Sequence, residues 1–175
     1  MRIDDDTTTT LGDPLSGAVF SACGRYRYGL WRRWNGPGRG TIAWIMLNPS
    51  TATHAVSDPT VTRCIERSKM LGYSGVDVVN LFAWRSTDPA GLKSSTAPVG
   101  PLNDQFILAA AATARTIVVA WGQHGKYLRR GRKVARLLVE KFGRPQLFCL
   151  GVTKAGQPRH PLYIGYDVPL REWKL

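Results

Sequence analysis

The residues of this chain best suited to chemistry fall in four short segments, and each segment follows an apolar run. Asn48-Pro49-Ser50-Thr51-Ala52 follows Ile42 to Leu47. Asn80 lies in the run Val76 to Phe82, which leads out through Ala83, Trp84, Arg85 and Asp88. Trp121-Gly122-Gln123-His124-Gly125 closes the run that begins at Thr116. Gly151 to Pro161 follows Gln146 to Leu150 and holds Thr153, Lys154, Arg159 and His160. Imidazoles exchange protons near neutral pH, and the amide of an Asn offers both a donor and an acceptor. The three histidines, His54, His124 and His160, all lie in loops that follow apolar runs. Such a set suits proton transfer and polar recognition. Several other chemistries lack their signatures. No G-x-G-x-x-G follows the first long apolar run, and neither a G-x-x-x-x-G-K-[ST] phosphate loop nor a G-x-S-x-G elbow is present. Cys23, Cys64 and Cys149 are scattered and no C-x-x-C pair exists. We therefore expect no metal centre and no cofactor.

The apolar runs read as the elements that position these residues. Runs at 42–47, 76–82, 116–121 and 146–150 predict strands buried on both faces. Asp58-Pro59 predicts a helix cap followed by Pro at the first helical position, with Val61, Cys64, Ile65, Ser68 and Leu71 inward and Gly72 closing. An Ala-rich helix is expected over 101–114 and an amphipathic one over 128–142. Residues 83–100 form a long loop with Pro89 and Pro98, and long loops in compact domains are often functional. Val19 to Trp34 predicts a β-hairpin turning at Gly24 or Gly29. Strand–helix alternation gives the expected fold: α/β, three layers (α/β/α), a central mostly parallel four-stranded sheet, and an N-terminal hairpin. Residues 1–15, acidic and Thr-rich, read as a disordered tail, and 16–175 as a single domain. In such a sheet, ligands bind beyond the carboxyl ends of the strands, where the four polar segments would lie.

The formal net charge is +12, with 24 Lys+Arg against 12 Asp+Glu, and four of those acids sit in the first thirteen residues. The rest of the chain is more basic still, mostly through arginine, whose planar fork suits phosphates and base edges. Arg129, Arg130, Arg132, Lys133 and Arg136 share one face of the helix expected over 128–142. Nucleic acid is the expected partner. No apolar run is long enough to span a bilayer, and the first residues carry no leader pattern. Scattered cysteines fit reduced thiols, so a cytoplasmic location without membrane partners is expected.

Taken together, Cys23-Gly-Arg-Tyr-Arg, Met-Leu-Asn48-Pro-Ser-Thr-Ala, Asp58-Pro-Thr, Val-Asn80-Leu-Phe-Ala-Trp-Arg-Ser-Thr-Asp-Pro, Trp-Gly-Gln-His-Gly125 and Gly-Gln-Pro-Arg-His160-Pro-Leu-Tyr resemble a bacterial family described as a domain of unknown function. The likeness covers nearly the whole chain. More remotely, the order of motifs is similar to that of the uracil-DNA glycosylase superfamily. That resemblance implies roles for individual residues. Asn48-Pro49 would help place the hydrolytic water, and Asn80 would read the flipped base. His160-Pro161 would support the leaving base and pinch the DNA backbone, while Gly122 would open a later helix. Phe82, Trp84 and Tyr163 become candidates for stacking, and Arg85, Arg129, Arg130, Arg132, Lys133 and Arg159 for phosphate contact. The chemistry is coherent. Cleaving an N-glycosidic bond puts negative charge on the departing base, which a His donor stabilises. Extruding that base calls for a basic surface and an apolar or aromatic pocket.

This chain departs from that pattern in places. Asn48 stands where the most active uracil-removing enzymes have a carboxylate, so either Asn48 or a carboxylate such as Asp58 or Asp88 activates the water. Asp58 also has a plain role as helix cap. The reading is a DNA glycosylase that removes a modified base and leaves an abasic site. The base is a damaged or deaminated one, or a hypermodified phage base in a defence role. The alternatives are a non-catalytic nucleic-acid-binding module on the same fold, and a hydrolase of free modified nucleosides or nucleotides.

Overall fold

Apolar runs become strands and amphipathic periods become helices across residues 7–88 and 90–174, the part of the chain that the computed structural model describes. In chain order these are β1 (Thr8–Gly12), β2 (Ser16–Ser21), β3 (Arg27–Arg33), β4 (Thr41–Met46), α1 (Pro59–Met70), β5 (Gly75–Asn80), α2 (Ala90–Ser94), α3 (Asn103–Thr113), β6 (Thr116–Val119), α4 (Arg130–Phe142), β7 (Leu147–Cys149) and β8 (Arg171–Glu172). Two 3-10 turns, Gln123–Arg129 and Pro161–Tyr163, sit in the segments after β6 and β7. No helix among the described residues is long and apolar enough to cross a membrane.

The fold is mixed α/β. Four strands, in the order β5-β4-β6-β7, are parallel, with Trp44 opposite Val78 on one side and Val118 on the other. The sheet is wider than the sequence suggested: eight strands in the order β1-β2-β3-β5-β4-β6-β7-β8. The expected hairpin does form, as β2 and β3 around Gly24, which takes φ +71°. It is no appendage, because β3 pairs antiparallel with β5 through Leu30 and Val78 and so extends the main sheet. Buried Tyr28 and Leu30 explain why: left alone, the hairpin would expose them. The expected tail is corrected too. Residues 8–12 form the edge strand β1, with Thr10 opposite Val19, while residues 1–6 lie outside the described part. Every β1 residue is exposed, so the strand carries no apolar alternation that a sequence reading could catch.

Alternate strand residues feed two cores. Trp44, Met46, Val76 and Val78 pack with Val61 and Cys64 of α1. Ile45, Val79 and Val119 pack with Ile107 of α3 and with Val134 and Leu138 of α4. Trp44 is fully buried and its indole donates to Ser68 Oγ at 3.1 Å, so α1 is both packed and oriented on β4. The chain runs from β4 over α1 to β5 on one side, then back over α3 to β6 on the other. The connections therefore diverge beside the carboxyl end of β4, which is where such sheets open a crevice.

Candidate functional site

A cavity of about 700 Å³ occupies this crevice. Its walls come from the segments that leave β4, β5, β6 and β7, and they include Asn48, Asp58, Asn80, His124, Arg159 and His160. The exits are bound to one another. Leu81 N donates to Met46 O and Phe82 N to Leu47 O, so parallel pairing continues past the strand ends. Ser86 N donates to Pro49 O at 2.9 Å. After β7 the chain folds back through a Val152–Pro158 bridge, and Gly122 N donates to Pro158 O at 2.9 Å. That contact carries His160 from the far end of the sequence to the wall that Asn48 and Asn80 share.

The geometry of each side chain limits what it can do. Asn48 Nδ2 donates to two carbonyls, Ser86 O at 2.8 Å and Pro49 O at 3.1 Å. Both partners are acceptors, so the amide nitrogen faces the loop and Oδ1 is left to accept a donor in the cavity. Asn80 is 1% exposed, and its Nδ2 has no partner among the described residues. Leaving such a donor unpaired and buried costs about 1–3 kcal/mol. Its backbone is held firmly: Asn103 Nδ2 donates to Asn80 O at 2.9 Å and to Leu81 O at 3.0 Å. His160 Nδ1 accepts from Leu162 N at 3.3 Å, which puts the proton of the neutral ring on Nε2. Burial pushes its pKa down, against the opposing pull of Asp58. Asp58 does cap α1, accepting Val61 N at 2.8 Å through Oδ1 and Ala52 N at 3.4 Å through Oδ2, yet it also lines the cavity.

A family match bears on this arrangement. Residues 27–162 match the family described as "Protein of unknown function (DUF1643)". The chain belongs to this family. The DUF1643 match takes in most of the chain, from Arg27 on β3 to Leu162 beside His160. No curated protein matches at significance. No solved structure does either.

Of the residues that sequence reasoning singled out, Asn48, Asp58, Asn80, Gly122, His124, Arg159, His160 and Tyr163 reach the cavity of this DUF1643 chain, while Pro49, Phe82, Trp84, Arg85 and Arg130 do not. Phe82 is fully buried in the core beside Tyr127, at 5.6 Å between ring centres, so it is not available to stack a ligand. Trp84 packs edge-on against Tyr26 at 5.6 Å, away from the cavity. Pro49 is buried behind Asn48 and contributes its carbonyl to the loop. Tyr163 is 83% exposed at the cavity mouth, 6.1 Å from the His160 ring. Arg130 is the clearest correction. It is 5% exposed, its Nε donates to Leu81 O at 2.8 Å, and its Nη2 pairs with Asp104. It is a support for the β5 exit and not part of an exposed basic face. The face that remains is Arg129, Arg132, Lys133 and Arg136, all exposed. The helix also starts later than expected, because Leu128 and Arg129 take φ +51° and +54°. Arg85 is committed as well: Nη1 donates to Gly24 O at 3.0 Å and the guanidinium lies 5.1 Å over the Phe20 ring. Arg27 was missed as a site residue. It lines the cavity from β3, and nothing in its spacing singled it out among the arginines of the hairpin. Among the described residues no group of three or more His, Cys, Asp or Glu side chains is placed to hold a metal ion.

Proposed function

We propose that this DUF1643 protein is a DNA glycosylase that hydrolyses the N-glycosidic bond of a flipped, modified base. One observation carries the reading: Asn48, Asn80 and His160, up to 112 positions apart, line one cavity, and the Asn80 Nδ2 is buried with no partner among the described residues. A buried amide held ready by its backbone, with no partner of its own, suits an edge of a base that supplies the missing partner. The similarity to the uracil-DNA glycosylase superfamily, and the three-layer arrangement it implies for the central parallel strands, belong to this proposal. So do the cytoplasmic setting and a role in repair or in defence against modified phage DNA.

In this mechanism Asn48 Oδ1 accepts a hydrogen bond from a water and turns its oxygen toward C1′ of the sugar. The water oxygen bonds to C1′ as the C1′–N bond breaks, and the electron pair of that bond leaves with the base. An amide does not take up the water's proton. Asp58, the carboxylate among the lining residues described, receives it and returns it to solvent. The neutral His160 ring donates from Nε2 to the departing base, which is finally protonated from solvent. Tyr163 stacks at the mouth. Arg159 and the exposed Arg129, Arg132 and Lys133 hold phosphates, a task that fits their charge and exposure.

The rival reading, a nucleic-acid-binding module without chemistry, draws support from Asp58, both of whose oxygens already accept backbone N–H groups. A panel of oligonucleotides carrying deaminated, oxidised and hypermodified bases separates the two. Strand breaks after alkali at one base type, and none from the corresponding free nucleoside, support the glycosylase. Tight binding across the panel with no abasic sites supports the module.

A further inference from the structure

Arg27 is the charged group of the cavity that the mechanism above leaves unused. It enters from the first residue of β3 and is 2% exposed. Among the described residues its one side-chain hydrogen bond runs from Nη1 to Ala52 O at 2.9 Å, and Nε is buried with no partner. No described carboxylate forms an ion pair with it. Asp58 acts on it only through space, and Arg32 and Arg85 add positive charge beside it. Burial pushes its pKa down to about 10, so the guanidinium is still a cation at neutral pH. Arg32 shows what a purely structural arginine does in the same hairpin. Its fork is spent on carbonyls, with Nη1 to Trp31 O at 2.8 Å and Nη2 to Thr53 O at 2.6 Å. Arg27 keeps most of its donors unspent at the wall of a cavity.

A buried cation whose only counter-charge, Asp58, acts through space and not through an ion pair is costly to keep, and an anion arriving in the cavity relieves that cost through charge-assisted hydrogen bonds. We propose that Arg27 is the anion-recognition residue of the cavity, and that it binds the negatively charged edge of a pyrimidine-like base as that base departs. That the ligand is a base rests on the reading above. That it is anionic rests on Arg27 itself. Asn80 on the same cavity wall would then read the uncharged part of the ring, so the two side chains divide recognition between shape and charge.

The test is calorimetric binding at neutral pH to the full chain, with three probes. Barbiturate is a pyrimidine that is anionic at neutral pH, uracil is its neutral counterpart, and benzoate is a planar anion that is not a base. The variants are Arg27→Met and Arg27→Lys, with thermal unfolding measured on each. The expected result is barbiturate bound about tenfold or more tighter than uracil. Arg27→Met should abolish that preference while unfolding no earlier than the wild type, because an apolar chain of similar length replaces an unpaired buried charge. Arg27→Lys should keep part of it, so the proposal stays testable if the Met variant fails to fold. Benzoate bound through Arg27 with no pyrimidine bound upholds the anion site and removes the base reading. Uracil and barbiturate bound equally, with no change in Arg27→Lys, overturn the anion site and leave the base reading standing. If neither barbiturate nor benzoate binds, or if Arg27→Met only destabilises the fold and leaves probe affinities unchanged, Arg27 is a loop anchor and the proposal fails.

Discussion

Asn80 carries the most distinctive residue-scale expectation. Its buried Nδ2 bonds to nothing among the described residues, so its removal should cost the fold little. Asn80→Leu, close in shape, is expected to leave unfolding free energy within about 1 kcal/mol of wild type, or to raise it, while base excision collapses. Urea unfolding and single-turnover excision on the same preparation read both effects. A loss of stability of several kcal/mol would mark Asn80 as a structural strut. His160→Ala removes a preorganised donor and should slow excision by about 10²–10³ with DNA affinity nearly intact. Its ring also sets a pH signature. Burial holds its pKa below the ordinary imidazole value of 6.5, so the unfolded chain takes up the proton first as pH falls. The stability that depends on a neutral ring is full above about pH 6.5 and is lost as pH drops from there toward the folded value. Unfolding midpoints measured from about pH 7.5 to about pH 5 should decline less in His160→Asn than in wild type. That Asn48, Asn80 and His160 line one cavity was legible in the sequence because each follows or ends an apolar run, and a parallel sheet brings such exits to the same edge. Arg27 was not, because its place depends on β3 pairing with β5, a non-local contact that no spacing announces.

At the scale of elements, the exit of β5 is held by groups that look ordinary in sequence. Asn103 opens α3 and spends its amide on Asn80 O and Leu81 O, and Arg130 opens α4 and gives Leu81 O a second donor. Asn103→Ala removes the amide from Asn80 O and leaves Leu81 O with Arg130 Nε alone, and is expected to cost about 1–3 kcal/mol of stability. It should also lower excision more than binding, since Asn80 is displaced. Equal losses in both would show that the support is global and does not act on Asn80. Arg130 lies four residues before Val134 and eight before Leu138, on the buried face of α4, so its charge suggested a surface residue where the helical period places it inward. The parallel strands were legible because apolar runs buried on both faces have no other home. Edge strands β1 and β8 were not, since Thr8–Gly12 and Arg171–Glu172 are exposed throughout and carry no apolar alternation.

Over the whole molecule, the net charge of +12 sits on a fold whose cavity mouth carries Arg159 and whose last helix exposes Arg129, Arg132, Lys133 and Arg136. If these side chains neutralise phosphates, DNA affinity falls steeply with salt, and replacing the four helix residues with Ala should flatten the log–log slope by about 0.9 for each phosphate no longer neutralised. An unchanged slope assigns the helix face to solvent and leaves the mouth as the only track. The central claim is that one cavity performs hydrolysis of a base from DNA. Its most direct test is to count released free base by mass spectrometry against abasic sites formed in the same reaction, with H₂¹⁸O as solvent. The account predicts one base per abasic site, ¹⁸O at C1′ of the sugar, and loss of both products in Asn80→Leu. Binding to modified DNA with no base released and no label in the sugar contradicts it.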